Sequence, residues 1–219
     1  MNSNNNLTIE PSEQKRILEM FNYEHQLRKT GKKYIVGIDE AGRGPLAGPV
    51  VAAAVIFPQR VVIPGVNDSK RLSPIKREML FDLIYEKALA IGVGSCDEKV
   101  IDEINILQAT YRAMKEAVAS LPIQPEHVLV DGTLIQDFDL PQTAIPRGDG
   151  ISFSIAAASI IAKVTRDRMM REFDRIYPQY GFAQHKGYPT KKHIRAIIKH
   201  GCCPIHRTSF KIKNLECYG

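Results

Sequence analysis

The chain has 219 residues, 44% of them hydrophobic and 25% charged, the balance expected of a soluble globular protein built on one large domain. No apolar run approaches the roughly 18 residues of a membrane span, and the polar start Met1-Asn2-Ser3-Asn4-Asn5-Asn6 has neither a basic nor an apolar signal region, so neither a membrane nor a secreted protein is expected and a cytoplasmic setting is. The net charge of +6 is uneven: residues 147–219 hold 14 Lys and Arg against 5 Asp and Glu, whereas residues 1–146 hold 16 against 19, which points the C-terminal third at a polyanion.

In chain order, residues 12–30 read as a helix, with Ser12 as N-cap, Ile17, Leu18 and Phe21 on one face and Gly31 as the stop. Tyr34 to Ile38 is a short strand ending on Asp39-Glu40; a glycine-rich turn leads to a second apolar strand, Val50 to Phe57. Ser73-Pro74 reads as an N-cap followed by Pro at the first helical position, opening a helix to about Glu86. Ala88 to Ser95 is a third strand, and Glu98 to Ala119 is mostly helical. His127 to Val130 is a fourth strand ending on Asp131, and Thr143-Ala144-Ile145 a weaker fifth before Arg147-Gly148-Asp149. A long helix, alanine-rich at its start, runs from Ser154 to about Ile176, and Thr190 caps a last one that Gly201 and Pro204 end. Early strands close together and later ones separated by helices favour an α/β protein with a mixed sheet.

Asp39 and Glu40, Asp131, and Asp149 share a context, the end of an apolar strand. Ligands of open α/β sheets bind beyond strand ends, so neighbouring strands would bring these carboxylates together. Clustered carboxylates repel and raise one another's pKa; a hard divalent cation removes that cost, and two such ions suit phosphodiester hydrolysis. Taken singly, each Asp also fits an ordinary turn. Between the first two strands, Gly42, Gly44 and Ala47 satisfy the G-x-G-x-x-A spacing of a dinucleotide site, but Pro45, Pro49 and a following strand replace the required helix. Such a turn can instead bring bare backbone to a ligand, with Arg43 within reach of a phosphate.

Gly37-Ile38-Asp39-Glu40-Ala41-Gly42-Arg43-Gly44-Pro45-Leu46-Ala47-Gly48-Pro49-Val50 resembles the opening signature of the ribonuclease HII family, type 2 ribonucleases H. Asn67-Asp68-Ser69-Lys70, Val130-Asp131-Gly132, Arg147-Gly148-Asp149 (where Lys is more usual at the first position), the helix from Ser154 to Asp167, Tyr180-Gly181-Phe182 and His185-Lys186-Gly187-Tyr188-Pro189-Thr190 follow in the family's order. The resemblance covers residues 33 to 210, and the residues before it are too few for the N-terminal domain of a ribonuclease HIII. It implies a ribonuclease H-like fold: a mixed five-stranded sheet flanked by helices, with a small, basic, helical C-terminal part. On this division residues 1–31 are an N-terminal helical extension and 32–219 the catalytic domain. The implied activity is endonucleolytic cleavage of the RNA strand of RNA–DNA hybrids and at ribonucleotides embedded in duplex DNA. It would leave 5′-phosphate and 3′-hydroxyl ends by a two-metal-ion mechanism using Mg²⁺ or Mn²⁺.

By motif position, Asp39, Glu40, Asp131 and Asp149 are the implied catalytic metal ligands. The Gly42-Arg43-Gly44 backbone is similar to the element that contacts the ribose 2′-hydroxyl, and Tyr188, rather than Tyr180, is assigned to the neighbouring sugar. Ser69, Lys70, Lys163, Arg166 and Lys186, with Lys191 and Lys192, are candidate phosphate contacts, and the protein is expected to act as a monomer. His200, Cys202, Cys203 and His206 fit a zinc site poorly because the cysteines are adjacent; packing as small hydrophobes in a reducing compartment suits them better. Asp167 reads as an ion-pair partner on its helix. Leu215-Glu216-Cys217-Tyr218 shows no clear sliding-clamp motif.

Overall fold

The computed structural model describes residues 10–210; Leu215 to Tyr218 lie outside them. Five strands form one mixed sheet in the order β3-β2-β1-β4-β5. β1 (Ile35–Ala41), β2 (Val50–Ile56) and β3 (Ala90–Cys96) pair antiparallel, while β4 (His127–Asp131) and β5 (Gln142–Ile145) extend the sheet parallel to β1. The helices are α1 (Pro11–Met20), α2 (Asn22–Lys29), α3 (Pro74–Lys87), α4 (Glu98–Ala119), α5 (Phe153–Ile176), α6 (Phe182–His185) and α7 (Lys191–His200).

β1 and β2 read as continuous apolar runs because both faces of the sheet are covered. α4 lies on the face presented by Val36, Ile38 and Val130; α5 lies on the other, with Ala53 and Val55. Strand residues alternate between faces, so Leu129 and Ile35, packed with Ile155 of α5, mark the second face. A Cβ at Gly37 would overlap the Ser154 carbonyl carbon and the Ile155 nitrogen; only glycine lets the start of α5 press onto β1 there.

The expected helix over 12–30 is two helices. Its N-cap position is Glu10, with Pro11 next, rather than Ser12. The break falls at Phe21, which leaves helical geometry and stacks on Phe153 with ring centroids 4.4 Å apart. Ile17, Met20 and Phe21 are buried in the same cluster as Phe153 and the α5 alanines, so tertiary packing overrides the helical periodicity. α5 starts at Phe153, one residue earlier than expected, with Ser152 as its N-cap, whose hydroxyl accepts from the Ile155 N–H. β1 runs past Ile38 and contains Asp39 and Glu40, since β2 continues opposite them (Asp39↔Ala53, Glu40↔Ala52). Single-turn helices at Ser69–Arg71, Gly148–Gly150 and α6 have no sequence period long enough to announce them.

The C-terminal part is held by a layer of aromatic rings and histidines: Tyr180, Phe182, His185, His193 and His206. His206 Nδ1 lies 3.2 Å from the Cys203 carbonyl as well as beside the Cys203 N–H, and one set of tautomers satisfies the chain of contacts as a relay. In that set the Cys203 N–H donates to His206 Nδ1, so the His206 proton is on Nε2 and faces His193 Nε2 at 3.1 Å; His193 then donates from Nδ1 to the Tyr188 carbonyl at 3.0 Å. This relay exists only while both rings are neutral. Burial pushes the His193 pKa down to about 4, and lowers those of His185 and His206. A depressed histidine pKa withholds protons that the unfolded chain takes up, so stability present at neutral pH is lost as pH falls from about 6.5 toward 4. His193 alone would account for roughly 3 kcal/mol at the acid end. The melting temperature is expected to drop across this window, and His193→Gln to flatten the slope; an unchanged slope in the variant would assign the acid lability elsewhere. Cys203 is buried with Sγ 3.1 Å from His206 Nδ1, and burial raises its thiol pKa to about 11, the behaviour of a packed hydrophobe.

Candidate active site

Parity and register assemble the carboxylates. Asp39 and Asp131 follow Ile38 and Val130, which pair in the parallel β1–β4 register, and both carboxylates fall on the α5 face. β5 pairs Ile145 with Asp131, and the turn after it places Asp149 beside them; the Gly148 N–H donates to Asp131 Oδ1 at 2.6 Å. One carboxylate oxygen from each of Asp39, Asp131 and Asp149 lies within 4.8 Å of the others. Among the described residues this is the one group of three or more metal-capable side chains so arranged. Glu40, next in β1, has the opposite parity and stands outside this trio, with Arg43 Nη1 3.5 Å from its Oε1.

Burial raises the Asp39 pKa well above the usual carboxylate range, and the charges of Glu40, Asp131 and Asp149 raise it further. Burial also raises Glu40, against the pull of Arg43; burial, then Asp149, raises Asp131. Lys70 Nζ approaches Asp149 Oδ2 at 3.2 Å from an exposed loop; burial works against its ammonium, but Asp149 and Asp39 outweigh this and raise its pKa. One exposed lysine leaves a trio of oxygens short of positive charge. Closely spaced hard oxygen donors of this kind fit a divalent cation such as Mg²⁺ or Mn²⁺.

Beside the carboxylates, the turn from Gly42 to Pro49 is held from below by two buried arginines. Arg207 Nε and Nη2 donate to the Gly48 carbonyl at 2.9 and 2.7 Å, Nη1 to Arg43 and Pro45 at 3.1 and 2.8 Å, and Nη2 to Gly42 at 2.6 Å. Arg166 donates to the carbonyls of Pro49, Ala47 and Lys186 at 2.8, 3.0 and 3.0 Å. Burial lowers the Arg166 pKa to about 10 and that of Arg207 to about 9. Every peptide bond described is trans, so a carbonyl facing inward turns the next N–H outward. With the Gly42 and Arg43 carbonyls on Arg207, the N–H groups of Arg43 and Gly44, both exposed residues, point away from it. Gly42 itself has φ +100°, and a Cβ there would overlap the Arg166 side chain.

The remaining expected residues are placed as follows. Tyr188 is 41% exposed, and its ring edge would lie 3.7 Å from a Cβ on Gly44, whereas Tyr180 is 2% exposed and donates its hydroxyl to the Gly201 carbonyl. Lys163 lies 5.9 Å from the Tyr188 ring centroid and pairs with Asp167 at 2.7 Å. Lys163, Lys186, Arg77, Arg171, Asp167 and Tyr188 line a cleft of about 460 Å³; the Lys186 ammonium turns back to the Ala183 carbonyl, and Lys192 reaches Gln184 at 2.7 Å. Lys191 is exposed at the start of α7. Two expectations change. Arg166 is fully buried with its guanidinium committed to carbonyls, so it shapes the turn rather than meeting a phosphate. Ser69 is buried, its N–H on Ser159 Oγ and its carbonyl on Arg77, and it supports the loop that presents Lys70. Arg207 was missed because a lone Arg after His206 carries no sequence sign of burial.

Comparison with known proteins agrees with this geometry. A family model described as ribonuclease HII matches residues 36–213. A ribonuclease HII from Acetivibrio thermocellus is 60% identical over 195 residues, covering 89% of this chain and 76% of that protein. One from Bacillus cytotoxicus is 58% identical over 198 residues, covering 90% and 76%. Among solved structures, the ribonuclease H2 from Pyrococcus horikoshii OT3 superposes with a TM-score of 0.69 at 28% identity, covering 81% of this chain and 94% of that one. The mixed sheet is therefore the ribonuclease H-like fold, and the chain belongs to the ribonuclease HII family.

Proposed function

We propose that this metal-dependent endoribonuclease cleaves the RNA strand of RNA–DNA hybrids and also cuts at ribonucleotides embedded in duplex DNA, leaving 5′-phosphate and 3′-hydroxyl ends. The observation that carries the reading is the Asp39–Asp131–Asp149 trio beside a turn whose amides face outward and next to which Tyr188 is exposed. Asp39, Asp131 and Asp149 hold the divalent ions, and Glu40 completes their surroundings from the neighbouring strand position. A pair of Mg²⁺ or Mn²⁺ ions, when bound, supplies Lewis acidity and charge neutralisation at the scissile phosphate.

Selectivity is the work of the chain's own groups. DNA and RNA offer the same phosphates, and only RNA offers the 2′-hydroxyl. The outward N–H groups of Arg43 and Gly44 are donors for that oxygen; glycine at position 44 keeps a side chain out of the approach beside Tyr188, and glycine at 42 lets the turn seat on Arg166. The Tyr188 ring supports the next sugar. Lys163 and Lys186 take phosphates along the cleft and Lys70 takes one beside the carboxylates, which makes binding weaken as salt rises.

The test is cleavage of duplex DNA holding one ribonucleotide, with Mg²⁺ or Mn²⁺ and with EDTA. Metal-dependent nicking at the ribonucleotide is expected; a chain that binds the duplex but does not cut it with either ion would overturn the reading. Tyr188→Ala is expected to slow this substrate about tenfold, in line with roughly 1–3 kcal/mol for an aromatic platform, and to affect long hybrids less. An unchanged rate would remove Tyr188 from the contact.

A further inference from the structure

Glu24 lies in α2, before the stretch that the family model matches, and is 1% exposed. Its Oε1 accepts three hydrogen bonds from the start of α5: the Ser152 hydroxyl at 2.7 Å, the Ser154 N–H at 3.0 Å and the Ser154 hydroxyl at 2.6 Å. An anion at a helix N-terminus is favoured by the helix dipole and takes up N–H groups that lack partners within the helix. What this carboxylate holds is the turn carrying Asp149. The Ser152 N–H donates to the Gly148 carbonyl at 2.8 Å, and the Gly148 N–H donates to Asp131 Oδ1. Ser154, the other partner of Glu24, is the residue that presses onto β1 at Gly37, two positions before Asp39.

We propose that Glu24 is a positioning residue of the active site, so that the α1–α2 segment is a working part of the metal centre rather than an appendage to it. The proposal rests on the reading of Asp39, Asp131 and Asp149 as metal ligands. Two hydroxyls and an amide converging on one oxygen need the electron density of a carboxylate. Without it the Ser152–Ser154 start of α5 loosens, and with it the 148–150 turn. Partners that orient metal ligands in this way are worth about 10–100-fold in metal affinity.

The experiment combines Mn²⁺ binding by calorimetry with amide hydrogen exchange of the metal-free protein, for wild type, Glu24→Ala, Glu24→Gln and Ser152→Ala. Glu24→Ala is expected to weaken Mn²⁺ binding about tenfold or more and to speed exchange at residues 148–155. Glu24→Gln, which keeps one acceptor oxygen, should recover part of both. A purely structural role in docking α2 would speed exchange in residues 11–29 and leave 148–155 and the Mn²⁺ affinity unchanged, which would overturn the proposal. Should Glu24→Ala not fold, Glu24→Gln and Ser152→Ala carry the same two readouts. If wild-type protein binds no Mn²⁺, or Asp39→Asn binds it equally well, the ligand reading fails; the exchange at 148–155 then still decides whether Glu24 governs the turn.

Discussion

Asp39→Asn is expected to abolish cleavage and, in metal-free buffer, to raise the melting temperature. The two effects have one origin. Burial, and then the charges of Glu40, Asp131 and Asp149, hold the Asp39 pKa well above the ordinary carboxylate range. Ionising it is therefore a cost to the folded state that an isosteric amide removes, on the order of 1 kcal/mol by comparison with other relieved active-site strain. The same charge is what a divalent ion needs. Losing it forfeits several kcal/mol of phosphate stabilisation, about three orders of magnitude in rate. The pH sign follows from the raised values: Asp39, Glu40 and Asp131 keep their protons in the folded state to higher pH than in the unfolded chain. Their contribution to stability is thus fullest below the ordinary carboxylate range and lost as pH rises through the folded-state values. The melting-temperature gap between variant and wild type should widen from pH 4 to pH 8, and Mn²⁺ should close it by stabilising wild type alone. A variant that kept the wild-type rate would end the assignment of Asp39 as a ligand, and Asp131→Asn is expected to behave in the same way.

Arg207→Ala is expected to have the largest effect on stability. Its guanidinium makes five hydrogen bonds to four carbonyls of one turn, four of the bonds buried away from water. Removing it leaves those acceptors buried without donors, at about 1–3 kcal/mol for each that cannot find water. A net loss of roughly 3–5 kcal/mol, the range for deleting one side of a buried charged network, follows. Arg207→Lys should not rescue it, because an ammonium has three donors and no planar fork. Chemical denaturation measures the loss. The cleavage rate of the protein that remains folded reports a second one, since the turn is then free to rotate its amides away from the 2′-hydroxyl. Wild-type stability in Arg207→Lys would show that the fork geometry is not what holds the turn.

Much of the site can be read along the chain because its acids end apolar strands. Val128-Leu129-Val130-Asp131 announces its own context, and so does Ile35 to Asp39. What the chain conceals is parity and burial. Adjacent Asp39 and Glu40 look equivalent, yet the pleat of β1 sends one into the trio and the other toward Arg43. Arg166 looks like one more member of a basic face, but the approach of α5 to the Gly42–Pro49 turn buries it completely. Helical periodicity runs unbroken through Phe21 because nothing local opposes it; the break is made by Phe153, far along the chain. The short strand β5 and the turn bearing Asp149 are legible only together, through the pairing of Ile145 with Asp131.

The parallel pairing of β1 with β4 has a temporal consequence. Asp39 meets Asp131 from 92 positions away in the chain, and Asp149 arrives later still, so no fragment ending before that turn contains the trio. Distant pairings of this kind form late in folding. A nascent chain that has not yet reached Asp149 therefore lacks one of the three acids, and the trio can close only once the β5 turn has been made.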